Sequence, residues 1–128
     1  MNNPVPHAFA DLIGLEVTSR GEGECITELA IDDRHLNPNN VVHGAVIYAL
    51  ADTGMGGALT TLLDDTEFCS TIEIKINYFR PGVSGRLSCR TRVVNKSRQT
   101  AAMDSEIFSA EGKLLARATG TFMIMPRP

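Results

Sequence analysis

Gly44–Leu63 is a run of twenty residues that carries a single charge, Asp52. It is too long for one strand and is read as a helix. Gly44, Gly54, Gly56 and Gly57 lie within it, and each glycine costs ~1 kcal/mol against alanine in an exposed helix. Such a helix must be held by packing on every side. Ala45, Ala49, Thr53 and Gly57 recur every four residues and predict a narrow face of small side chains where other backbone comes close. The length would suit a membrane span. Asp52 in mid-run, the lack of flanking cations and the amphipathic strands downstream argue against one.

The surroundings of this helix are β-like. Phe9, Leu12 and Ile13 have helical spacing and Gly14 stops them, which gives a short helix over Pro6–Ile13. Leu15–Ile31 reads as strand broken by a turn at Arg20-Gly21-Glu22-Gly23, and Asp32–Val42 as a loop rich in Asn and Pro. After the helix, Ile72, Ile74, Ile76 and Tyr78 alternate with Thr71, Glu73, Lys75 and Asn77. Leu87–Asn95, Thr100–Ser109 and Leu114–Met125 follow as strands joined by tight turns. The economical architecture is α+β: an antiparallel sheet wrapped around one long central helix, in a single domain over 1–128. The ends, Met1–Pro6 and Pro126–Pro128, are expected to fray.

A net charge of −3 argues against a nucleic-acid partner. Six of the twelve cations lie between Arg80 and Arg98 with no acid among them, which suits either a phosphate-bearing ligand or a solvated strand face. The three cysteines have no CxxC spacing. Together with the lack of a signal-like N-terminus, they predict free thiols in the cytoplasm.

Asp52 is the residue that most needs an explanation. No cation stands at Tyr48, Ala49, Met55 or Gly56, its neighbours one turn away. A desolvated carboxylate shifts toward the pKa range of an acid–base catalyst. Asn37 precedes the helix as a candidate polar group, and His43-Gly44 opens it. There, free N–H groups and the helix dipole suit an anion or a polarised carbonyl oxygen, and Gly44 lets a substrate approach. Gly44 and Asp52 are eight residues apart, ~12 Å along a helix. One helix therefore cannot bring both to the same carbonyl, but two antiparallel copies can. His7, His35 and His43 lack metal-ligand spacing, and no cofactor or metal is expected.

The segments His35–Ala45, Leu50-Ala51-Asp52-Thr53 and Ile76-Asn77-Tyr78-Phe79-Arg80-Pro81 resemble the hotdog-fold thioesterases of the phenylacetic-acid-pathway type over nearly the whole chain. The resemblance implies hydrolysis of an acyl-CoA in a homodimer, often a dimer of dimers, and the small residues Ala49, Gly56 and Gly57, with Met55, near Asp52 point to room for an aromatic ring or a medium chain. It implies Asp52 as nucleophile or general base, supplied by the opposite subunit, and Asn37 and Thr71 as holders of the water. Gly44 becomes the N–H donor to the thioester carbonyl, next to His43. Arg80, Lys96 and Arg98 fall where such enzymes meet the CoA phosphates, CoA being part of the substrate. The chain departs from the pattern at Ala45, usually a second glycine. In 4-hydroxybenzoyl-CoA thioesterases, Thr stands where this chain has Gly56, Glu where it has Asp52 and Gln where it has Asn37. Two other functions fit the same fold: an acyl-CoA-binding module without turnover, and a hydratase or dehydratase. The hydratase pattern wants a histidine after Asn37-Pro38, and none follows.

Overall fold

The computed structural model describes residues 6–128, so most of the expected N-terminal fray lies outside the described residues. Helix α1 (Ala8–Ile13) ends on Gly14, whose φ of 76° is the left-handed cap that glycine tolerates. Strands β1 (Leu15–Gly21) and β2 (Glu24–Ala30) form a hairpin through Glu22-Gly23. A short 3₁₀ turn (Asp33–His35) and an Asn-rich loop lead into α2 (Gly44–Thr60). Then come β3 (Glu67–Tyr78), β4 (Arg86–Lys96), β5 (Thr100–Phe108) and β6 (Leu114–Pro126).

All neighbouring strands are antiparallel, in the order β1-β2-β4-β5-β6-β3. Chain neighbours β2 and β3 stand far apart because α2 crosses the sheet between them. The C-terminus departs from the expected fray at its start: Pro126 pairs with Glu67, and the Arg127 N–H donates to the Thr66 carbonyl at 2.8 Å.

Helix α2 buries Ile47, Leu50, Ala51, Gly54, Met55, Ala58 and Leu59 against the sheet. This i, i+3, i+4, i+7 progression is what one helix face must be to cover a core. The face of close approach therefore shares only Ala49 and Gly57 with the expected Ala45–Ala49–Thr53–Gly57 row, Ala45 and Thr53 staying at least partly exposed. Gly54 sits against Thr91, where an added Cβ would lie 2.5 Å from the hydroxyl, and Gly57 sits against Cys25 Sγ. The sheet wraps only part of the helix. Ala45, Tyr48, Asp52, Gly56 and Thr60 remain at least partly exposed, so the helix is not enclosed on all sides.

Two boundaries differ from expectation. Helix α2 stops at Thr60, short of Leu63, because Thr61 turns back: its hydroxyl donates to the Ala58 carbonyl and accepts from the Gly23 N–H, both at 2.7 Å. Strand β3 starts at Glu67, earlier than Thr71, and carries a bulge. Thr71 pairs with Phe122 and Glu73 with Thr121, so Ile72 opposes no residue. The bulge shifts the alternation. Thr71 joins Ile74 and Ile76 on the side facing α2, and Ile72, expected in the core row, is 51% exposed.

Candidate active site

The bulge delivers Thr71 to Asp52. The Thr71 hydroxyl donates to Asp52 Oδ1 at 2.8 Å. Asp52 is half-buried on the open side of α2, next to the edge strand β3. A carboxylate held this way keeps its second oxygen available for a proton or for bond formation. Cys69 is two residues before Thr71 on the same side of β3. Burial pushes its thiol above the usual range, the Thr60 hydroxyl partly offsets this, and the Asp52 charge adds to the rise.

At the start of α2, His43 caps the helix by accepting the Ala45 N–H on Nδ1 at 2.9 Å. Its imidazole proton therefore sits on Nε2. Among the described residues the Gly44 N–H has no acceptor, so one donor at the positive end of the helix dipole is unused. The approach to it is fixed from several directions. The His43 N–H donates to the His35 carbonyl, and the Val42 N–H to the Gly82 carbonyl, both at 2.8 Å. His35 is buried and bridges Asp32 N–H and the Ile13 carbonyl.

Gly44 opens onto a cleft of about 320 Å³ that Tyr78, Phe79 and Arg80 also line. Glycine at this position has a reason beside the one read from sequence. A Cβ here would meet the Tyr78 ring at 3.2 Å, and the Tyr78 hydroxyl donates to the Gly44 carbonyl at 2.8 Å. Tyr78 went unassigned in the sequence, although it stands in the same Asn-Tyr-Phe-Arg-Pro segment as Arg80.

Asn37 is half-buried, and its side-chain oxygen accepts the N–H groups of Asn39 and Val41, at 2.9 and 3.4 Å, which closes its own turn. Only the amide nitrogen is left for a ligand, and within one chain Asn37 bonds to neither Asp52 nor Gly44. The cations also separate. Arg86 pairs with Glu16 and Glu28, Arg90 lies over the Phe108 ring, and Arg92 stands opposite Asp104 in the register, as on a solvated strand face. Lys96, at the β4–β5 hairpin with Arg98, acts on Asp64 just past the end of α2. Arg80 lines the cleft at the opposite end of the helix.

The candidate residues thus lie at different points of one helix: Gly44 and Arg80 share a cleft at its start that Asn37 does not line, and Asp52 bonds Thr71 further along. An antiparallel six-stranded sheet carrying one long helix, with a carboxylate on that helix and a free N–H at its start, defines the hotdog thioesterase class. The chain belongs to the Thioesterase superfamily, whose family model matches residues 39–116. It is 28% identical to the acyl-coenzyme A thioesterase PaaI of Escherichia coli over 88% of this chain and 79% of that protein. The structure of the phenylacetic acid degradation protein PaaI of Thermus thermophilus, solved as an N33D mutant, superimposes with a TM-score of 0.84. That match has 34% identity and covers 91% of this chain and 98% of the other. The thioesterase HI1161 of Haemophilus influenzae gives a TM-score of 0.88 at 26% identity, covering 92% and 82%. The family acts on thioesters, and this chain is a PaaI-like thioester hydrolase.

Proposed function

We propose that this protein hydrolyses the thioester of an aromatic or medium-chain acyl-CoA to the free acid and CoA, in sites shared by two chains. The observation that carries the reading is the separation of an Asp52–Thr71 pair from an unused Gly44 N–H on the same helix. The eight-residue interval spans ~12 Å, whereas both groups must lie within ~3 Å of one reacting carbonyl. An antiparallel partner helix removes the conflict, because each helix start then faces the partner's Asp52.

Two exposed surfaces support such a dimer. Strand β3 is an edge of the sheet, and Ile72, Tyr78 and Phe79 on or beside it are each about half exposed, at 51%, 49% and 54%. An open edge with apolar side chains is a surface that proteins cover. The adjoining face of α2 is open as well. The two-fold arrangement also brings the partner's Lys96 and Arg98, at the far end of its helix, toward Gly44 and Arg80. That reunites the cations that one chain keeps apart, around the CoA phosphates. No helix among the described residues is long and apolar enough to cross a membrane, and Cys25, Cys69 and Cys89 are all free, as suits the reducing cytoplasm.

In the reaction, the Gly44 N–H and the dipole of α2 polarise the thioester carbonyl and stabilise the oxyanion. Asp52 of the other chain, oriented by Thr71, removes a proton from a water held by the Asn37 amide, or attacks the carbonyl directly. CoA leaves as the thiolate and takes up a proton. Solvent oxygen found in Asp52 after one turnover marks direct attack. The acyl group lies along Gly56. Ala49 and Met55 are buried under the helix and Gly57 packs on Cys25, so of the small residues near Asp52 only Gly56 leaves room.

The test is release of free thiol from short-chain, long-chain and aromatic acyl-CoAs, with Asp52→Asn alongside. Loss of at least ~10²-fold in the variant supports the assignment. Binding of the esters without turnover contradicts it and leaves a binding module.

A further inference from the structure

The first peptide of α2 is held at both ends. The carbonyl of the Gly44–Ala45 peptide accepts the Tyr78 hydroxyl at 2.8 Å, and the N–H of the same peptide donates to His43 Nδ1 at 2.9 Å. By helix geometry that carbonyl also serves the Tyr48 N–H, so the Tyr78 bond is additional to the helical ladder. The ring of Tyr78 occupies the space above Gly44, its atoms 3.2–3.4 Å from where a Cβ would be. Glycine is thus the residue that lets the ring seat. Burial raises the phenol above its ordinary range, with Tyr48 adding to the shift, so it stays a donor through neutral pH.

We propose that Tyr78 is a positioning residue for the helix start, acting through Gly44 and His43. This rests on the reading of the Gly44 N–H as the donor to the thioester carbonyl. Glycine in the first helical position is the residue least able to hold its own conformation. A donor to a developing oxyanion must be held to within ~0.5 Å. The Tyr78 hydroxyl, carried on the end of a strand, fixes the peptide that follows Gly44 and so restrains from its carbonyl side the glycine whose own N–H is the donor. It also polarises that peptide, which strengthens the bond from its own N–H, that of Ala45, to His43 Nδ1. The Ala45 N–H then holds His43 Nδ1 as an acceptor and leaves Nε2–H as a donor on an exposed ring. The chain Tyr78 O–H, Gly44 carbonyl, Ala45 N–H, His43 Nδ1 restrains the residue that carries the donor and one side-chain tautomer together.

The test is Tyr78→Phe, which keeps the ring and removes the hydroxyl. Steady-state kinetics with benzoyl-CoA and octanoyl-CoA are combined with long-range ¹⁵N–¹H spectra of the His43 ring in the ligand-free protein. The expected result is a fall in kcat of about fivefold, the worth of one neutral hydrogen bond, with KM within about twofold. The parent shows His43 as the Nε2–H form, and the variant gains signal from the Nδ1–H form. An unchanged kcat with an unchanged His43 spectrum overturns the proposal, and so does a rise in KM at constant kcat. If neither protein hydrolyses any CoA ester, the functional reading has failed on its own. The His43 spectrum still decides the clamp: a tautomer shift in the variant supports it, and no shift overturns it.

Discussion

Thr71 and Asp52, nineteen residues apart, share a 2.8 Å hydrogen bond because a bulge at Ile72 turns the start of β3 by one step. Without that unpaired residue, Thr71 would face outward with Glu73. The bulge therefore aims a hydroxyl at the one carboxylate of α2, a common use of bulges beside functional sites.

The bond should matter to turnover more than to folding. A hydrogen bond to a charged group is worth about 1.5–3 kcal/mol, or ~10-fold to ~100-fold in rate if it acts in the transition state. Thr71→Ala should lower kcat by at least ~10-fold in a thiol-release assay, and Thr71→Ser should stay within about threefold. Equal losses in both variants would count against the hydroxyl as the acting group.

Packing under α2 gives a prediction about stability. The Thr27 hydroxyl donates to the Leu50 carbonyl at 2.9 Å, and Thr91 and Ser105 share a bond of 2.7 Å, all three side chains being buried. Gly54 lies directly against this cluster. Gly54→Ala should cost about 1–3 kcal/mol from overpacking, despite the better helix propensity of alanine. Gly21→Ala, with no atom within 4 Å of the new Cβ, should change stability by less than ~0.5 kcal/mol. Urea unfolding midpoints of the two variants make the comparison.

The thiols report on Asp52. Cys25 is pushed up to about 11 by burial and then by Cys89, and Cys89 is itself buried, so neither thiolate is accessible at pH 8. Cys69, half-buried, is the thiol a native chain should expose to a small alkylating reagent. Its pKa is raised, in part by the Asp52 charge, so labelling accelerates as pH rises toward that value. Asp52→Asn removes the charge, lowers the pKa and should speed Cys69 labelling at fixed pH. A slower or unchanged rate would mean that Asp52 carries no charge felt at Cys69.

Much of this architecture was legible in the residues. The twenty-residue run with one charge gave the helix, and the turns at Pro81–Gly85, Lys96–Gln99 and Glu111–Lys113 separated β3, β4, β5 and β6. What escaped was decided by tertiary contacts. The bulge at Ile72 is invisible to a two-residue period, because Thr71–Tyr78 alternates perfectly in sequence. The small-residue row was half right, with Ala49 and Gly57 turned inward but not Ala45 and Thr53, because helix faces were judged by size alone, whereas Leu50 and Leu59 set which side meets the sheet. The cationic run mixes Arg86, paired with acids, Arg90, lying over an aromatic ring, and Arg92, on the same strand, with Arg80 and the hairpin cations. Charge counting cannot sort strand faces from turns. Asp52 stood out because a lone acid in an apolar helix is costly, while Tyr78 carried no such signal.

The central claim is that each site takes Gly44 and the Asn37 loop from one chain and Asp52 from another. It is tested by mixing Asn37→Ala with Asp52→Asn, each nearly inactive alone, and allowing subunits to exchange. Half of the dimers in a random two-fold mixture are mixed, and each of these holds one site with both groups intact. The account predicts recovery of about a quarter of wild-type thioesterase activity. A mixture no more active than its two components would contradict the shared site.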